Sequence, residues 1–93
     1  MNEIQIKEYI ESNNVIEILQ NSFLSIIENN SCEDLNIESK NVTIEINNIE
    51  YVSTKNSLNI FKTKINFNGK AIGYYSLAFQ KNGKVEDDFF VIF

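Results

Sequence analysis

Two Asn-Gly dipeptides, Asn68-Gly69 and Asn82-Gly83, constrain this chain more than any other feature. A type I′ turn needs positive φ at both central residues, and Asn-Gly supplies it at the least steric cost. Strands are therefore expected near 57–67, 70–80 and 84–93, joined as antiparallel hairpins. The period of two already begins near residue 41. Val42, Ile44 and Ile46 alternate with polar residues, and Ile49 and Tyr51 then alternate in the opposite parity. One extra residue at Asn47-Asn48, a bulge, returns both sets to one face. The competing reading is a tight hairpin on the same two asparagines.

Before residue 41 the period is helical. In residues 14–29, Val15, Ile16, Leu19, Phe23, Ile26 and Ile27 recur at spacings of three and four and make one apolar stripe. Asn14 is the expected cap, with Glu17 completing a box-like start, and Asn29-Asn30-Ser31 stops the helix. Ile6, Tyr9 and Ile10 suit a short helix over 3–11, although Ile4 and Ile6 also alternate like a strand. Residues 30–40 read as a polar loop. No linker, repeat or low-complexity tract divides the 93 residues, so one domain is expected. The fold class is α+β: one or two N-terminal helices packed on a curved antiparallel β-meander of four strands, or five if Asn47-Asn48 is a tight turn.

Two-residue turns fix register, and register assigns the faces. Around Asn68-Gly69, Ile65 is expected opposite Ile72, Thr63 opposite Tyr74 and Phe61 opposite Ser76. Around Asn82-Gly83, Tyr74 is expected opposite Val91 and Ser76 opposite Phe89. One face then gathers Phe61, Ile65, Ile72, Tyr74, Phe89, Val91 and Phe93. The other gathers Leu58, Ile60, Tyr75, Leu77, Phe79, Phe90 and Ile92, joined by Ile49 and Tyr51 through an even-length turn near Lys55-Asn56. The second, larger face is the expected bed for the helix. The first has no obvious cover, and exposed apolar patches usually mean binding. The run Phe89-Phe90-Val91-Ile92-Phe93 is apolar on both faces, and at a sheet edge it invites pairing with another chain.

The missing residue types exclude most chemistry. The chain has no His, Arg, Trp or Pro, and a single cysteine, Cys32. Without His there is no imidazole base or histidine metal ligand. Without Arg there is no bidentate phosphate clamp. One cysteine gives neither a disulfide framework nor a thiolate zinc site, and the neighbouring Glu33 and Asp34 disfavour its thiolate. Asn68-Gly69-Lys70 and Asn82-Gly83-Lys84 contain Gly-Lys without the rest of a phosphate loop. Tyr9, Tyr51, Tyr74 and Tyr75 read as core or interface residues. Glu86-Asp87-Asp88 is the one dense acidic cluster. On a strand, Glu86 and Asp88 share a side and Asp87 faces away, so the three do not close on one metal. Burial of Asp88 beside Leu77 would raise its pKa and make it a candidate base. The reading adopted is no enzyme, no catalytic or metal residue, and no cofactor.

The net charge of −5 is unevenly spread. Residues 1–50 hold ten acids and two lysines, residues 51–85 hold six lysines and no acid, and Glu86, Asp87 and Asp88 follow. This disfavours nucleic acid, which needs a cationic face, and favours a basic protein partner. No run of about 18 apolar residues suggests a membrane span, and Met1–Gln5 lacks the pattern of a signal peptide. A cytoplasmic location is expected. Asn29-Asn30-Ser31 and Asn41-Val42-Thr43 match the glycosylation pattern by chance in an Asn-rich chain. Abundant Asn, Ile and Lys is what AT-rich codons produce, pointing to an AT-rich bacterium or its phage. The candidate partner-binding residues are Glu17, Glu28, Tyr74, Glu86, Asp87, Asp88 and Phe89. The same apolar cluster also suits a homodimer.

A short acidic chain with an amphipathic helix, then a meander closing on Ile72-Gly73-Tyr74-Tyr75-Ser76-Leu77-Ala78-Phe79 and Val85-Glu86-Asp87-Asp88-Phe89-Phe90-Val91-Ile92-Phe93, resembles the small single-domain immunity proteins of bacterial contact-dependent and polymorphic toxin systems. The resemblance implies a cytosolic, non-enzymatic protein that neutralises one cognate toxin domain, often a basic nuclease. It transfers no residue role. A fainter similarity is to cystatin-like and nuclear-transport-factor-like folds, which implies a sheet cavity that binds a small ligand.

Overall fold

A computed structural model describes residues 1–54 and 56–93. Helices α1 (Glu3–Ser12), α2 (Val15–Asn29) and α3 (Cys32–Leu35) precede strands β1 (Thr43–Ile44), β2 (Glu50–Ser53), β3 (Asn59–Phe67), β4 (Lys70–Phe79) and β5 (Val85–Ile92). The sheet is antiparallel with order β1-β3-β4-β5, and β2 also pairs with β3. The fold is α+β, with helices first and a five-stranded antiparallel sheet after them.

The capping box sits on α1. The Asn2 side chain accepts from Gln5 N–H at 2.9 Å, and Gln5 Oε1 accepts from Asn2 N–H at 3.0 Å. Asn14, the expected cap of α2, is left-handed at φ 52° and makes no side-chain cap bond. It serves the tight turn between two helices instead, where Asn tolerates positive φ better than most residues. On α2 the stripe narrows to Val15, Leu19, Phe23 and Ile27, all buried, while Ile16 is 38% exposed. The stretch expected as loop contains α3: the Ser31 hydroxyl caps Asp34 N–H at 3.1 Å, and left-handed Asn36 ends the turn. That seats Ile37 in the core.

Asn68-Gly69 forms the expected turn, with φ of 51° and 76°. Asn82-Gly83 does not, because only Gly83 has positive φ. Its loop is longer, closed by Gly83 N–H to Gln80 O at 2.9 Å and Gln80 N–H to Lys84 O at 2.7 Å. A bulge at Glu86 absorbs the difference, so Tyr74 still faces Val91 and Ser76 still faces Phe89. Asn47-Asn48 is not a tight hairpin. β1 and β2 both run along β3, and the residues between them exceed those on β3 by an odd number, which preserves the parity expected of a bulge.

The expected face assignment fails on β3. Ile72 is an extra residue on β4, placed between the pairs Asn66↔Ala71 and Ile65↔Gly73. From there Thr63 faces Tyr75 and Phe61 faces Leu77. The β2–β3 connection is odd in length, closed by Ser53↔Asn59, so Tyr51 faces Phe61; Lys55 of the expected even turn lies outside the described residues. Phe61 and Ile65 therefore belong to the inner face, while Ile60 takes the outer one.

Helices pack on that inner face. The Tyr9 and Phe61 rings stack at 5.7 Å, and Phe61 also meets Tyr51 at 5.4 Å and Phe79 at 5.7 Å. A second group joins Phe23 to Tyr75 and Phe90. The hydroxyls find partners at the rim: Tyr9 donates to Gln80 O at 2.7 Å and Tyr51 to Asn59 Oδ1 at 2.8 Å. Buried Thr63 donates to Glu45 O at 2.9 Å. Gly73 permits close approach of β5, since a Cβ there would collide with Val91 O and the Ile92 backbone.

Phe61→Ala is expected to cost about 3–5 kcal/mol by chemical denaturation, as for a fully buried ring. Lys64→Ala, one strand face away, should change stability by no more than about 0.5 kcal/mol. A reversed ranking would mean that β3 has the opposite phase.

Candidate functional site

The expected binding residues divide between two sides of the molecule. Tyr74, Asp87 and Phe89 lie on the outer face of the sheet, on β4 and β5. Glu17 and Glu28 lie on α2, exposed and opposite its buried stripe. Their separation of eleven residues is three helical turns, so both point along one line.

On the outer face, Phe89 is 43% and Phe93 78% exposed, with Val52 and half-buried Ile60, Tyr74 and Val91 beside them. Lys62 Nζ sits 4.0 Å from the centroid of the Tyr74 ring, a cation–π contact. Tyr74 and Phe93 are 6.4 Å apart. Ser76 and Ala78 on this face are buried beneath neighbouring side chains. A depression of about 460 Å³ lies here, walled by Glu50, Lys62, Lys64, Tyr74 and Phe93. The face is apolar with lysines at its centre.

The helical side has the opposite character. Glu3, Glu8, Glu11, Glu17, Glu28, Glu33 and Asp34 are all exposed, against one lysine, Lys7, in the same helices. Among these acids stand exposed Ile16 and Leu24, the latter 52% exposed. A groove of about 280 Å³ runs between α1 and α2, lined by Ile10, Glu11, Ile16, Glu17 and Gln20. The sequence reading missed Ile16 and Leu24 as surface residues. The signal was present: Leu24 falls outside the stripe, nearly in line with Glu17 and Glu28.

Glu86, Asp87 and Asp88 diverge. Glu86 is the bulge residue, so alternation no longer pairs it with Asp88. Asp87 Oδ1 accepts from Asp88 N–H at 2.8 Å. Asp88 is exposed, so the burial that would have made it a candidate base is not there. Its Oδ2 instead accepts from the buried Tyr75 hydroxyl at 3.3 Å. Among the described residues no group of three or more His, Cys, Asp or Glu could hold a metal ion. Cys32 is a half-buried free thiol on α3. Where a sheet-cavity domain would hold a ligand, the inner face holds Val15, Leu19, Phe23 and Ile27. Among the described residues no helix is long and apolar enough to cross a membrane.

No family model, curated protein or solved structure matches this chain.

Burial pushes the Tyr75 hydroxyl far above its usual value of 10.0, and the Asp88 carboxylate adds to the rise. The folded state therefore holds this proton more tightly than the unfolded chain. The contribution is complete below pH 10.0 and is lost as pH climbs toward the folded value. Stability should fall above that point, and Tyr75→Phe should lessen the fall. An equal alkaline loss in the variant would assign the effect to other groups.

Proposed function

We propose that this chain is a non-enzymatic binding protein that neutralises a basic protein partner, acting in a bacterial cytoplasm as the immunity protein of a toxin domain. The observation that carries this reading is the sorting of charge by layer. The helices present seven acids and one lysine on one side of the sheet, while on the other Lys62 and Lys64 are balanced by Glu50 and Asp87. A basic surface is attracted to the helical side. The carboxylates there surround Ile16, Leu24 and the groove between α1 and α2. That arrangement joins an apolar anchor to a charged rim, in which rim charges mainly govern association and buried contacts govern residence. Tyr74 and Phe89, on the opposite face, are left for a different contact.

The test begins with the toxin-like protein encoded by the neighbouring gene, expressed as its C-terminal domain and titrated against this chain. Stoichiometric binding that abolishes toxicity is expected. Glu17→Lys with Glu28→Lys should slow association at low salt by roughly 10-fold and flatten its salt dependence. Leu24→Ala should mainly speed dissociation. Salt-independent association, unchanged in the double variant, would refute steering by the helical side.

A further inference from the structure

β5 is an edge strand, pairing with β4 alone. One bond fixes the direction of its backbone groups: Phe93 N–H donates to Ile72 O on β4 at 2.9 Å. In an antiparallel ladder the N–H and C=O of one residue point the same way, and successive residues alternate. Phe89 and Val91 thus turn their amides to β4, and Phe90 and Ile92 turn theirs away from the sheet. Asp88 also faces away, but its amide is already held by the Asp87 carboxylate. Just before it, the bulge at Glu86 breaks the ladder. Bulges and charges are the devices by which sheets protect their edges. Here they close the acidic half of β5 and leave the apolar half open.

We propose that this chain forms a twofold homodimer in which β5 pairs antiparallel with β5 of a second copy, centred on Val91. The open edge selects that register. Phe90 of one copy meets Ile92 of the other, and the twofold axis repeats the pair, giving two reciprocal pairs of backbone hydrogen bonds. Val91 then faces the second copy's Val91, and Phe89 faces its Phe93, so the side-chain pairs from Phe89 to Phe93 are all apolar. Centring on Phe90 instead would set Asp87 against Phe93 and bring the occupied amide of Asp88 into the ladder.

The same register also keeps the acids apart. The two Asp88 residues lie six residues apart along the strands, about 20 Å, which is beyond the screening length at physiological salt. On the outer face, Tyr74 and Val91 of one copy continue into Val91 and Tyr74 of the other as one row. The helical side remains free, so this dimer stands apart from the binding proposed above.

Light scattering over a concentration series should show a monomer–dimer equilibrium. Amide hydrogen exchange at Phe90 and Ile92 should slow as the dimer fills. Val91→Lys and Val91→Glu, checked for native circular dichroism, should each be monomeric, and an equimolar mixture should restore the dimer by pairing opposite charges on the axis. A monomer up to about 1 mM would overturn the proposal. So would a dimer in which the Phe90 and Ile92 amides exchange at the monomer's rate, which would mean that the outer faces stack instead. Protection of these amides only on adding a foreign protein would assign the edge to that partner.

Discussion

Ile72 is unpaired against β3, and the phase of that central strand depends on it. Because the extra residue falls on β4, Phe61, Thr63 and Ile65 turn toward the helices while Lys62 and Lys64 turn away. Without it, a two-residue turn at Asn68-Gly69 would send both lysines inward, Lys62 against Tyr75 and Lys64 against Gly73. Burying two unpaired ammonium groups costs far more than one irregular step in a ladder. The Tyr9–Phe61–Phe79 contacts, and the packing of α1 on them, follow from that single step.

The elements of the fold were legible where local chemistry decided them. The four-residue spacing of Val15, Leu19, Phe23 and Ile27 gave α2, and Asn68-Gly69 gave the β3–β4 turn. Register was not, because a turn predicts pairing only as far as the first bulge. At Asn82-Gly83 a longer loop and the bulge at Glu86 cancelled, so the expected pairing of β4 with β5 survived a wrong turn type. At Ile72 nothing cancelled. The alternation Phe61-Lys62-Thr63-Lys64-Ile65 carried the correction, since it reads apolar and lysine on opposite faces. The asparagines were under-read. Asn14, Asn36 and Asn68 all hold positive φ, and so do turn work that Gly does in other chains.

The candidate site was legible as residue types but not as a surface. Glu17, Glu28, Tyr74 and Phe89 are exposed or half-exposed as expected, yet the sheet stands between the first two and the last two. A sequence read in one dimension joins acids and aromatics that the fold separates. The separation gives the molecule two unlike faces, an acidic helical one and an apolar one with lysines at its centre. It also leaves an open edge at β5, whose acidic end is closed by its own side chains.

The phase of β3 is the claim on which the faces, the groove and the edge all rest. Ring-to-ring nuclear Overhauser contacts in protein labelled at Phe and Tyr test it most directly. The structure requires contacts from the Phe61 ring to the rings of Tyr9, Tyr51 and Phe79. Contacts from Phe61 to Tyr74, with none to Tyr9, would place Phe61 on the outer face and contradict the account.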